Sequence, residues 1–154
     1  MEMPTLTPAH RALDLLGGSW QGPETIHRTP FDPKGGPAVG RVTNRLALDG
    51  FAVIQEYEQE RGGTVNLRGH GIFRYDGVRN QYGMLWLDST GQAPGEFWGT
   101  FENGTLALTN IGRQGQVRGT WDLRTAGRIS YRMEVSGDGI SWMLFLTGDY
   151  ARQP

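Results

Sequence analysis

Gln116-Val117-Arg118-Gly119-Thr120-Trp121-Asp122-Leu123, then Arg124-Thr125-Ala126-Gly127, then Arg128-Ile129-Ser130-Tyr131-Arg132-Met133-Glu134-Val135: this stretch decides the fold class. Val117, Trp121 and Leu123 alternate with Arg118, Thr120, Asp122 and Arg124. Ile129, Tyr131, Met133 and Val135 alternate in the same way with Arg128, Ser130, Arg132 and Glu134. A period of two puts each set on one face of a strand. Ala126-Gly127 supplies a residue that tolerates positive φ between the two runs. The segment therefore predicts an antiparallel hairpin with one apolar, inward face and one wet face.

Working outward, turn residues recur along most of the chain: Asp49-Gly50, Gly62-Gly63, Asp76-Gly77, Thr90-Gly91, Asn103-Gly104, Arg113-Gln114-Gly115, Ala126-Gly127 and Asp138-Gly139. The runs between them predict strands over Ser19 to Arg28, Arg41 to Leu48, Phe51 to Glu60, Leu67 to Tyr75, Gln81 to Asp88, Gly95 to Phe101, Thr105 to Ile111, Gln116 to Leu123, Arg128 to Val135 and Ser141 to Tyr150. Before them, Thr7 can cap, Pro8 sits at a first helical position, Ala12, Leu13 and Leu16 make a stripe, and Gly17-Gly18 ends a short helix over 8–16. An open sheet of about ten strands would expose two edges, whereas closure removes them. The expectation is an all-β single domain over 1–154: a closed antiparallel up-and-down barrel with one N-terminal helix. Its one long connection, Thr29 to Val39, holds Pro30, Pro33 and Pro37.

Composition agrees. Of 154 residues 24 are glycine, far above the usual share of about 7%, yet five Trp, five Tyr and six Phe argue for a folded core full of turns. Fifteen Lys and Arg nearly cancel sixteen Asp and Glu, leaving a net charge of -1 and no basic field for nucleic acid. Cysteine is absent, which excludes disulfides, thiolate metal sites and thiol nucleophiles. The start of the chain lacks a basic segment followed by an apolar run, and no stretch suits a membrane helix. A cytoplasmic protein is the default expectation.

With Trp20 inward, Glu24 and Ile26 share its side, Asn44 accompanies Val42 and Leu46, and Gln55 and Tyr57 accompany Phe51 and Val53. This gives a mixed lumen, and inward glycines at Gly69, Gly71 and Gly99 suggest space within it. In the last strand Trp142, Leu144 and Leu146 are read as inner, leaving Met143 and Phe145 as an outer apolar patch. The fifth strand is likewise apolar on both faces, with Tyr82, Met84 and Trp86 opposed to Leu85 and Leu87. Either the helix or a second subunit must cover that surface, and a homodimer is expected because the helix offers only three apolar side chains.

Phosphate loops, dinucleotide glycine motifs, nucleophile elbows and paired-histidine zinc helices are all missing. Of the three histidines, His10, His27 and His70, the last is flanked by Gly69 and Gly71, which would let a ligand approach. No ligand spacing suggests a metal site. Glu24 with Tyr57 is the more informative pair, because a carboxyl among apolar walls is suited to hold or release a proton. Glu24, His70 and Tyr57 are thus the candidate catalytic groups. Tyr75, Trp86, Trp98, Trp121 and Tyr131 could stack on a planar ligand or simply fill the core.

The run Leu15-Leu16-Gly17-Gly18-Ser19-Trp20-Gln21-Gly22 resembles the opening of calycin barrels, where Gly-x-Trp closes one end. With Gly69-His70-Gly71, Tyr75-Asp76, Tyr82, Trp86-Leu87-Asp88-Ser89-Thr90-Gly91 and Gly99, nearly the whole chain after Leu13 resembles the largely bacterial family catalogued as domain of unknown function 1579. The resemblance implies a calycin-like, lipocalin-related barrel and no established activity. The chain is more distantly similar to nitrobindin-type haem barrels, but these supply a proximal histidine near the C-terminal end, and Ser141 to Pro154 has none. Haem is therefore disfavoured and no cofactor is expected.

The leading expectation is a non-enzymatic barrel for a small, mostly apolar molecule, entered past the Thr29 to Val39 loop and contacting Trp20, Glu24, Tyr57, Tyr75, Trp86, Trp121 and Tyr131. The alternative is a cofactor-free isomerase or cyclase with Glu24 or His70 as acid or base and Tyr57 or Tyr75 as donor. A third reading is an interaction module that binds a protein through Met143 and Phe145.

Overall fold

A computed structural model describes residues 1–112 and 115–154. The expected turn at Arg113-Gln114 lies outside the described residues. Ten strands run β1 Gly18–Ile26, β2 Gly36–Ala47, β3 Ala52–Arg61, β4 Thr64–Asp76, β5 Gln81–Asp88, β6 Gly95–Glu102, β7 Thr105–Gly112, β8 Gly115–Asp122, β9 Arg128–Ser136 and β10 Met143–Arg152. Each pairs antiparallel with the next, and β1 pairs with β10, so the sheet is a closed barrel without edges. The hairpin turns carry the expected chemistry: both residues of Gly62-Gly63 and of Asn103-Gly104 have positive φ, which matches the twist of the strands they join. Strand β2 begins at Gly36, earlier than expected, because Gly36 to Val39 pair with Ile26 to Pro23.

The helix, α1 Pro8–Arg11, tightens into a 3₁₀ turn over Ala12–Leu16. It plugs one end of the barrel, with α1 against β4 and the 3₁₀ turn against β3. Leu13 and Leu16 are buried in one cluster with Trp20, Phe73, Tyr82, Leu106 and Leu108. Burying these two leucines contributes roughly 1.5 to 3 kcal/mol each. Trp20 Nε1 and Asn44 Nδ2 both donate to the Leu16 carbonyl at 2.9 Å, and the Tyr82 hydroxyl donates to Ala9 O at 2.7 Å. The last carbonyl of the plug is thus satisfied from inside the barrel.

The last strand corrects the expected faces. Its register shifts between Leu144 and Leu146, the signature of a β-bulge, and one extra residue inverts the alternation on its far side. Phe145 lines the lumen beside Leu146, and Trp142 lies outside under the Arg118 guanidinium, 4.1 Å from its ring centroid. Leu144 stands opposite Glu134 on the outer face. The supposed outer patch at Met143 and Phe145 is therefore not continuous. Leu85 and Leu87 do project outward, each 40% exposed, so the β5 anomaly persists. Among the described residues no helix is long and apolar enough to cross a membrane.

Candidate functional site

Strand β1 builds the site. Trp20, Glu24 and Ile26 all face inward and are buried, with Glu24 only 2% exposed. A carboxylate at that depth must find donors, because an unpaired buried charge costs several kcal/mol. Tyr57 supplies one, its hydroxyl 2.8 Å from both Glu24 oxygens, and Gln59 Nε2 donates to Oε1 at 3.0 Å. The Tyr150 hydroxyl donates to Oε2 in a short contact. Gln59 is held in turn by Asn66, whose amide donates to its Oε1 at 3.1 Å. Gly40 makes room for this knot: a Cβ there would lie 2.3 Å from Glu24 Oε2 and 2.8 Å from the Tyr150 ring.

Burial first, and then the Glu24 charge, push the phenols of Tyr57, Tyr131 and Tyr150 well above their ordinary range. They stay neutral donors at physiological pH. No Lys, Arg or His among the described residues forms an ion pair with Glu24; its partners are neutral.

Above the knot is a cavity of about 300 Å³. Its walls are largely apolar, formed by Val42, Met84, Trp86, Phe97, Trp121 and Phe145 among others. Asp32, Arg61, Asn66 and Asp88 line it too, from the end of the barrel opposite the helix. There Arg61 Nη1 meets Asp32 Oδ2 at 2.7 Å and Arg61 Nη2 donates to Gly35 O at 2.8 Å, pinning the β1–β2 connection across the rim. The guanidinium bond, and then the Gly35 amide, lower the Asp32 carboxyl below its usual value.

The expected site residues divide. Glu24, Tyr57, Trp86, Trp121 and Tyr131 line the cavity together. Trp20 belongs to the plug, with the Arg152 guanidinium 4.4 Å above its ring, and Tyr75 packs on His10 and bonds Asn80 at 2.6 Å. Trp98 lies under Arg74 and Arg79 instead of with the lumen aromatics. His70 is on the outer face, its Nδ1 2.6 Å from Glu56 Oε1, and it does not line the cavity that Glu24 lines. The glycines also differ from expectation: the Trp86 indole fills the space beside Gly69, and Gly99 admits the β7 backbone, its Cβ position lying 1.9 Å from Ala107 O.

Sequence reading omitted Gln59 and Tyr150 from the site. Continuing the inner face of the last strand from Leu146 by twos reaches Tyr150, and Gln59 shares the parity of Tyr57; both signals were present. The lumen does not fit haem on an imidazole. All three histidines lie outside the cavity, His27 bonding Thr147 at 3.0 Å and His10 bonding Thr7 at 2.8 Å. Among the described residues no group of three or more His, Asp or Glu side chains is placed to hold a metal ion.

Ten antiparallel strands closed on themselves, plugged at one end and hollow toward the other, define a calycin-like barrel. The chain belongs to the family described as protein of unknown function (DUF1579), whose model matches residues 5–152. Among solved structures it is similar to Rv2717c from M. tuberculosis, with a TM-score of 0.74 and 16% identity over 97% of this chain and 100% of that one. It is also similar to the S-type phycobiliprotein lyase CPES from Guillardia theta, with a TM-score of 0.61 and 12% identity over 92% and 90% of the two chains. At these identities the likeness is one of fold. A search of curated proteins finds no match.

Proposed function

We propose that the barrel binds a small, mostly apolar molecule in its lumen, with the polar end of that molecule at Glu24. The observation that carries this reading is the conjunction of a cavity of about 300 Å³ with a buried polar knot at Glu24 among largely apolar walls. Ligand pockets have this make-up: apolar walls give affinity, and a few convergent polar groups fix orientation. In this reading the ligand enters past the connection between β1 and β2, beside the Asp32–Arg61 pair that lines the cavity. Native mass spectrometry of the purified protein tests the reading. A small molecule retained above 17.1 kDa and released on denaturation is expected. An experimental structure with the lumen packed solid by side chains would overturn it.

A homodimer through the outer face of β5 is also proposed. Leu87 and Leu85 stand opposite His70 and Ile72 of β4, and Ile72 opposite Ile54 of β3, giving a short apolar row on a barrel wall. Several such side chains, each worth roughly 1.5 to 3 kcal/mol when buried, could offset the cost of association. Light scattering at micromolar concentration should give twice 17.1 kDa, falling to 17.1 kDa in a Leu85→Glu, Leu87→Glu variant. A monomeric wild-type protein sinks the proposal.

A further inference from the structure

The chemistry around Glu24 says more about the occupant than that it is apolar. A carboxylate offers about four acceptor sites, and Tyr57, Gln59 and Tyr150 bring one proton each. One site is left over. The hydroxyls of Tyr131 and Tyr150 add oxygen lone pairs beside the same cavity. A ligand N–H therefore meets acceptors here, whereas a ligand carboxylate meets a like charge.

Charge around the cavity points the same way. Three carboxylates line it, those of Glu24, Asp32 and Asp88, against one cation, Arg61, which is bound to Asp32 at 2.7 Å. Asp88 accepts from Trp86 Nε1 at 2.9 Å and from the Thr90 backbone amide at 3.0 Å, and has no ion-pair partner among the described residues. The enclosed space thus lies in a negative field focused by low-dielectric walls. Those walls present the faces and edges of Trp86, Trp121, Tyr57 and Tyr131, groups that attract a cation where they meet it face-on. No cation among the described residues pairs with Glu24, which leaves its open acceptor site to a cation from outside.

Resting on the lumen-binding reading above, we infer that the occupant is an organic cation, a protonated amine or similar nitrogen base on a compact apolar body, whose N–H donates to Glu24 between the lumen aromatics. The cation supplies the missing counterion, and its body displaces water from the apolar wall.

Three matched probes test this on the intact protein by isothermal calorimetry: 2-phenylethylamine, the neutral 2-phenylethanol and the anionic 3-phenylpropionate. The amine is expected to bind about tenfold or more tighter than the alcohol, and the acid more weakly than either. In Glu24→Gln, checked for folding by circular dichroism, the amine should bind no more tightly than the alcohol. Equal binding of amine and alcohol by the wild-type protein overturns the cation assignment and leaves the lumen site standing. Failure of all three probes to bind at millimolar concentration overturns the lumen-binding reading itself. The wild-type comparison decides the matter even if the variant fails to fold.

Discussion

Glu24→Leu is expected to lower the unfolding free energy by about 3 to 5 kcal/mol, a large part of the roughly 5 to 15 kcal/mol that holds a domain together. The substitution removes the acceptor shared by Tyr57, Gln59 and Tyr150 and leaves their donors inside the barrel. Gln59 retains Tyr57 Oη at 3.0 Å, so the loss falls chiefly on the two phenols. Each buried donor deprived of its partner costs about 1 to 3 kcal/mol. Tyr150→Phe, which takes away one donor and leaves the acceptor two others, should cost about 1 kcal/mol, and the two changes should be strongly non-additive. Urea unfolding curves measure all three variants. A Glu24→Leu protein within about 1 kcal/mol of wild type would show that water or a relaxed lumen satisfies the phenols.

The second large effect is expected at the seam where the barrel closes. A Cβ on Gly22 would lie 1.7 Å from the Asp149 carbonyl oxygen and 2.9 Å from the Tyr150 Cα. These are backbone atoms of β10, so no rotamer change relieves the collision; β1 and β10 must separate at the pairing that closes the barrel. Gly22→Ala should therefore cost about 3 kcal/mol or more, and the melting temperature should fall by roughly 10 °C. Gly137→Ala is the control. A Cβ there meets nothing within 4 Å and its φ is not positive, so its melting temperature should match the wild type. If the two variants melt together, the seam is more yielding than its geometry implies.

Both predictions concern tertiary contacts between residues far apart in the chain, and they mark the boundary of what could be read in advance. The alternation of Val117, Trp121 and Leu123 with charged neighbours, repeated from hairpin to hairpin with glycine turns between, determined the barrel, since a period of two is a local property of each strand. The same periodicity put Glu24, Tyr57, Trp86, Trp121 and Tyr131 on the inner face, and all five line the cavity. It broke down at Leu144 to Leu146, because a β-bulge adds one residue without a compositional signal and reverses every side chain before it. Periodicity also carries no information on depth along the barrel. Trp20 and Glu24 share one face of β1, yet the first seals the plug and the second faces the cavity. Nor could it show that Tyr150 meets Glu24 across 126 residues, for that contact exists only once β10 closes against β1. Outside the β10 bulge, the residue pattern is enough to assign each side chain its face, because facing is set by the pleat; which of those side chains meet follows from folding alone, because meeting depends on closure, register and the plug.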